Sequence, residues 1–250
     1  MNSVPIIIGD STIKFVDVAE HVGIVRSVDG NLPHILNRIS AHRKALHAVL
    51  PVGMARAHRG NPIASLRVEN LYGVPVLMSG TASLVLKQAE LNILTQHYKN
   101  TLQNLQKLHE KTPDPVVYFL AGSLPAAAIL HLKQLSLFSM ISRLPENILN
   151  RIGRYSLAAS SDHSKSWFLT VREISLMYLL PHPLSLLDSP LPKETAKQLF
   201  RSKVTDFWQK KLRSDAAVLP SLEYFKPQYM SLTRPHPLFE TFGSNSYEIC

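Results

Sequence analysis

Cysteine and acidic side chains are both scarce in this sequence of 250 residues. Cys250 is the only cysteine, so no disulfide can form within the chain; this is consistent with a reducing, intracellular compartment, whether cytoplasm or nucleus. The 18 acidic side chains stand against 27 lysines and arginines, which gives a formal net charge of +9. This excess favours a polyanionic partner, although a merely soluble basic protein is the alternative.

The usual motifs of nucleotide, zinc and hydrolase sites do not occur. There is no G-x-x-x-x-G-K or G-x-G-x-x-G loop, no C-x-x-C or H-E-x-x-H pair, and no G-x-S-x-G turn. Two-metal phosphoryl transfer needs clustered carboxylates, and the sequence holds no Asp-Asp dipeptide. We therefore expect no catalytic residue, no cofactor and no bound metal. His42 lies within an apolar stripe and is interpreted as a core or interface histidine.

Long apolar runs are also missing. The longest uncharged run, residues 116–132, is interrupted by Gly122 and Pro125. It falls short of the roughly 20 apolar residues that a membrane-spanning helix needs. The sequence therefore predicts a buried pair of helices here and no membrane partner.

Hydrophobic periodicity predicts a mainly α-helical fold with a small N-terminal β-hairpin. Short apolar segments around a Gly9-Asp10 turn predict strands before residue 28. Apolar residues at helical spacing then predict helices over residues 32–50, 84–108, 167–180 and 194–213. By contrast, residues 144–165 are interpreted as looser structure, residues 181–190 as a loop, and the chain from residue 220 as an extended tail.

Positive charge is concentrated near the first long helix. Residues 31–60 hold five lysines and arginines and no acid. The helical spacing places Lys44 at the centre of a polar face, with Arg43 and His47 beside it; Arg56 and Arg59 follow. We predict that these five residues contact nucleic-acid phosphates without reading sequence. A solvated helix face is the alternative, and for Arg43 a position over the apolar core is another.

Aromatic side chains offer a second possible contact with nucleic acid. Trp167, Phe168 and Trp208 are able to stack on bases. Each of them lies among apolar neighbours in the sequence. We therefore interpret all three as core residues.

Five segments in order resemble the C-terminal part of non-LTR (LINE-type) retrotransposon reverse transcriptases. Residues 15–24, with His21, Val22, Gly23 and Ile24 at the turn, resemble the primer-grip hairpin that closes the palm. The segments that resemble the following elements of that family are residues 31–59, 71–80, 90–108 and 118–131. The similarity covers residues 6–180 and continues more loosely to the end.

The resemblance implies a helical, thumb-like bundle that packs against a primer–template duplex. The fingers and the Tyr-x-Asp-Asp palm motif do not occur in the sequence, so we expect no polymerase activity from this chain alone; Mg²⁺ would belong to the palm. RNA or an RNA–DNA duplex, and a separate palm and fingers portion, are the implied partners. The alternatives are a helical protein-interaction module derived from a transposon and a non-functional fragment.

The same resemblance suggests how the chain divides. We predict four regions: a palm-closing β-hairpin (residues 1–30), a thumb-like helical region (31–142), a post-thumb helical region (143–213), and an extended tail rich in Pro, Tyr and Phe (214–250).

Overall fold

The computed structural model describes residues 6–8, 11–13, 17–21, 23–28, 30–49, 62–145, 147–159, 166–222 and 230–237. The fold of these residues is mainly α-helical with a small β portion at the N-terminus, as the sequence predicts. The helices are α1 (Leu32–Val49), α2 (Pro62–Val68), α3 (Val74–Leu77), α4 (Gln88–Leu105), α5 (Asp114–Ala121), α6 (Ala126–Ser142), α7 (Ile148–Ala158), α8 (Trp167–Met177), α9 (Pro183–Asp188) and α10 (Lys193–Ala217).

The N-terminal β portion consists of two antiparallel hairpins. Its strands are β1 (Ile6–Ile8), β2 (Ser11–Ile13), β3 (Val18–His21) and β4 (Ile24–Ser27). β1 pairs with β2, and β3 pairs with β4 so that His21 stands opposite Ile24. The second hairpin is attached to α1, because the Val25 N–H donates to Nδ1 of His34 at 3.2 Å.

Helix α2 continues into α3 through a π-helical turn, Glu69–Gly73. The helical segment therefore runs from Pro62 to Leu77. The widened turn brings the Glu69 side chain into the interior, where it is fully buried. Gly73 makes room for it, since a Cβ at this position would collide with the Glu69 carboxylate.

Two segments that the sequence assigns to irregular structure are helical. Within residues 144–165, α7 forms with Asn147 as its N-cap, whose side chain accepts from the Leu149 N–H. Within residues 181–190, α9 begins at Pro183, in the first turn, where proline costs no hydrogen bond. Both predictions are wrong because a helix of two or three turns needs little periodic signal once it packs on its neighbours.

The core consists of two hydrophobic clusters. The first lies among α1, α3, α4 and α5, around the fully buried Leu94, Tyr98 and Leu102. The second lies among α6 to α10, around Phe138, Phe168 and Phe200. The end of α10 and the segment at residues 230–232 also contribute to the first cluster. The four-region division of the chain stays a prediction.

The three aromatic residues assigned to the core by sequence pack inside the molecule. Phe168 is buried, and the Trp167 indole N–H donates to the Ala82 carbonyl at 2.8 Å. The Trp208 indole N–H donates to the Tyr178 hydroxyl at 2.9 Å, and that hydroxyl lies 2.7 Å from Nδ1 of His131. Both indole nitrogens thus have partners inside the protein.

The predicted buried pair of helices is present as α5 and α6. α5 ends at Gly122, which has a left-handed φ of +59°. In the described residues no single helix combines the length and apolar composition to span a membrane, whereas α5 and α6, bent by 59°, meet both criteria as a pair. Side chains from both helices are buried among the other helices.

Candidate nucleic-acid interface

Helices α1 and α4 are joined at their starting ends by one carboxylate. Glu90 accepts from the Lys87 N–H at 2.7 Å, which caps α4, and from the Asn31 N–H at 2.9 Å. The Asn31 side chain also donates to the Val85 carbonyl at 2.8 Å. Asn31 and Glu90 therefore bridge the starts of α1 and α4, and this bridge fixes how the two helices lie side by side.

The polar face of α1 is exposed as the sequence predicts. Arg43, Lys44 and His47 are all solvent-exposed, while His42 and Leu46 are buried on the other side of the helix. Exposure agrees with a contact surface, but it does not test nucleic-acid binding. The two remaining predicted contacts, Arg56 and Arg59, lie outside the described residues.

A groove runs between α1 and α4, which we call the α1/α4 groove. Its larger section has a volume of about 830 Å³ and is lined by Ser40 and Arg43 from α1. A further section of about 380 Å³ is lined by Arg43 and His47. No acidic side chain is among the described residues that line either section. Lys44 lies outside the lining, on the exposed face next to it.

The α4 side of the groove is a row of amide side chains. Asn92, Gln96, Asn100 and Asn104 line it at four-residue intervals. The Gln96 amide donates to Oδ1 of Asn100 at 2.7 Å, which orders this pair. Each amide has donors and an acceptor, so the row is able to meet sugar hydroxyls and base edges. This row was not predicted from the sequence, although its four-residue spacing is visible there.

The floor of the groove rests on a buried hydrogen-bonded chain. His42 Nε2 lies 3.0 Å from Oε1 of Glu69, and His42 Nδ1 lies 2.9 Å from Nε2 of His97. His97 lines the groove, and burial lowers its pKa to about 4, with the neighbouring His42 adding to the effect. His97 is therefore neutral near pH 7. The assignment of His42 to the interior is confirmed.

The predicted primer-grip residues belong to the turn between β3 and β4. His21 is exposed, and Gly23 has a φ of +74°, which suits a tight hairpin turn. Ile24 approaches Gly80, where an added Cβ would lie 2.9 Å from its Cγ1. Val22 lies outside the described residues. These contacts hold the hairpin beside α1 and leave the primer-grip role a prediction.

The described residues contain no group of three or more His, Cys, Asp or Glu side chains placed to hold a metal ion. Comparison with known proteins adds no relative: no protein-family model, no curated protein and no solved structure matches this chain.

Proposed function

We propose that this chain binds a nucleic-acid duplex, RNA or RNA–DNA, through the α1/α4 groove and without sequence preference. The observation that carries the proposal is the exposed basic face of α1 beside a groove without acidic lining residues. Phosphates supply most of the affinity in binding of this kind. Arg43 and Lys44 are positioned to neutralise phosphates, and His47 adds a hydrogen-bonding group at the edge.

The amide row gives the second wall a different role. Neutral amides do not attract phosphates strongly, but they hydrogen-bond to sugars and to base edges. In an A-form duplex the shallow minor groove displays the 2′-hydroxyls. A charged wall for the backbone and an amide wall for the sugar edge therefore suit a duplex that contains RNA.

The proposal includes the family resemblance carried by the sequence. In that interpretation α1, α4 and the hairpin of β3 and β4 correspond to the thumb and primer grip of a LINE-type reverse transcriptase. The chain has no Tyr-x-Asp-Asp motif, so we propose that it does not polymerise by itself. A primer-extension assay with Mg²⁺ and deoxynucleotides tests this, and metal-dependent incorporation would refute it.

A salt titration tests duplex binding directly. Fluorescence anisotropy with a labelled RNA–DNA duplex should give a binding constant whose logarithm falls linearly with the logarithm of salt concentration. In the variant Arg43→Gln/Lys44→Gln the slope should fall by about 1.8, since each phosphate contact contributes about 0.9 for duplex DNA. The matched control is Lys203→Gln/Lys210→Gln, which removes the same charge from exposed positions on α10.

Two results would contradict the proposal. One is an absence of binding at low salt. The other is an equal loss of affinity in both double variants, which would mean that net charge alone, and not the α1/α4 groove, drives association.

A protein-binding module is the second candidate, and one observation favours it. The outward side of α7 carries Ile148, Leu149, Ile152 and Tyr155, which are all exposed. Contiguous exposed apolar side chains mark surfaces that other proteins cover. A partner for this surface would present an apolar patch of its own. If the chain fails to bind any duplex at low salt, this candidate becomes the better one.

A further inference from the structure

A second groove lies between α6 and α10 and has no part in the duplex contact described above. We call it the α6/α10 groove. Its volume is about 820 Å³. Five basic side chains line it: Lys133 and Arg143 on the α6 side, and Lys193, Lys197 and Arg201 on the α10 side.

Positive charge in the α6/α10 groove is poorly neutralised. None of its described lining residues is acidic. Lys197 contacts the carboxylate of Glu194, whose Oε2 lies 4.0 Å from its Nζ, with both side chains about 70% exposed. An exposed pair at that distance contributes little. Lys193 also begins the 25-residue helix α10, whose N-terminal end carries partial positive charge.

The arrangement of the cations follows from two helices. On α10, the basic residues recur every four positions, so they share one face of the helix. On the other wall, the Arg143 guanidinium donates to Oγ of Ser139 at 2.8 Å, which orients it. The cations therefore stand on both sides of the groove.

Apolar side chains also line the groove. Leu132, Leu137 and Met140 of α6 are among its lining residues, and Met140 is 50% exposed. Phe200 also lines the groove, but its ring is buried and offers no face for stacking. The site therefore suits a ligand that presents phosphates to the cations and the apolar surface of a sugar to these side chains.

We propose that the α6/α10 groove binds the sugar–phosphate backbone of a single nucleic-acid strand. The α6/α10 groove has lysine or arginine side chains on both walls, whereas in the α1/α4 groove only the α1 wall has one, so the α6/α10 groove suits a single backbone held from both sides. Cations on both walls flank one backbone. Contacts to the sugar–phosphate backbone carry no sequence information, so the groove does not discriminate between bases. A chain with both grooves has separate places for a duplex and for the strand that continues from it.

The test uses the full chain and a labelled single-stranded oligonucleotide. The variant Lys197→Gln/Arg201→Gln should weaken binding by about tenfold or more and lower the salt slope by about 1.4, since each contact contributes about 0.7 for single strands. The control Lys203→Gln/Lys210→Gln removes equal charge from α10 outside the groove and should change affinity less than twofold. Melting curves establish that all variants fold.

Further measurements distinguish strand binding in the α6/α10 groove from binding in the α1/α4 groove and from binding of a free nucleotide. The variant Arg43→Gln/Lys44→Gln should lose duplex affinity and keep strand affinity, while Lys197→Gln/Arg201→Gln should do the reverse. A free nucleoside triphosphate should compete only weakly with the strand. Equal losses in the groove variant and the control would overturn the proposal, as would competition by the triphosphate at the oligonucleotide's own affinity. Neither of these outcomes depends on whether the chain binds a duplex.

Discussion

Helices α1 and α7 both have a buried and an exposed side, but their exposed sides differ in chemistry. α1 buries Ile35, Ile39 and Leu46 and presents Arg43 and Lys44 to solvent. α7 buries Asn150, Gly153 and Leu157, while Ile148 is 69% and Tyr155 72% exposed. The outer side of α1 therefore suits water or phosphates, whereas that of α7 carries an apolar surface that association would cover.

The inner sides differ as well. α1 brings His42 to a buried carboxylate from another helix, so part of its attachment is polar. α7 is held on its inner side by close packing, because Gly153 lies against the ring of Phe168. Substitutions on the inner sides of α1 and α7 should therefore lower stability for different reasons. Substitutions on their outer sides should change different surface properties.

The largest effect is expected from Glu69→Ala, which removes the carboxylate beneath α1. The substitution leaves Nε2 of the buried His42 without its carboxylate partner and creates a cavity, so the free energy of unfolding should fall by about 3–5 kcal/mol. Chemical denaturation measures this. The exposed Glu194→Ala is the matched control and should change stability by less than about 0.5 kcal/mol. Similar losses in both variants would mean that the buried contact between Glu69 and His42 contributes no more to stability than an exposed ion pair.

Gly153→Ala tests the inner side of α7 and should cost less. The added Cβ would lie 2.7 Å from Cε1 of Phe168, whose ring packs edge-on against Phe138 and Trp167 and has little room to move. Overpacking costs about 1–3 kcal/mol, and alanine returns about 1 kcal/mol in helix propensity. We expect a net loss of up to about 2 kcal/mol by denaturation. Arg151→Ala, exposed on the same helix, is the control; a stabilised Gly153→Ala would show that the contact relaxes freely.

The sequence predicted the periodic elements well and the tertiary contacts poorly. Helices α1, α4 and α10 follow from their apolar spacing, and so does the exposure of Arg43, Lys44 and His47. Glu69 gave no signal, because a glutamate is normally an exposed residue. Its burial depends on a π-helical turn and on Gly73, neither of which periodicity reveals.

Helix α7 was missed for a related reason. Its glycine, at position 153, weakens the helical signal, and only the fold shows that this glycine allows Phe168 to approach. Only one wall of the α1/α4 groove could be predicted from the sequence, because the basic face belongs to the single helix α1. The amide row lies opposite it because Glu90 binds the starts of both helices, and this contact cannot be read from the sequence. Periodicity in the sequence therefore identified the exposed face of a single helix, whereas the α1/α4 groove is formed by the faces of two helices.

Lowering the pH should reduce the stability of the protein through two histidines, His97 and His131. Burial lowers the pKa of His97 and of His131 to about 4, from an unfolded value near 6.5. The unfolded chain therefore binds more protons between about pH 6.5 and pH 4, and stability is lost as pH falls through this window. Each histidine contributes at most about 1.4 kcal/mol per pH unit, less where solvent screens it.

Denaturation curves at about pH 7, pH 6 and pH 5 measure this slope. In His131→Gln the slope should decrease while an acceptor for the Tyr178 hydroxyl is kept. An unchanged slope would contradict the role of His131. On α4, His97→Gln should act in the same direction with a smaller effect, because the His97 ring borders the α1/α4 groove.

The smallest effects on stability should come from substitutions on the exposed sides of α1 and α7, because exposed residues contribute little to folding. Arg43→Gln/Lys44→Gln on α1 and Ile148→Ser/Ile152→Ser on α7 all replace exposed residues, so each double variant should stay within about 1 kcal/mol of the original protein. Their surface behaviour should differ. The α7 variant should lower binding of a hydrophobic dye and any self-association seen by sedimentation velocity, because it removes apolar area from solvent. The α1 variant should leave both unchanged and reduce duplex affinity. If the α7 variant instead unfolds the protein, that side is part of the core, and the contrast between the two helices fails.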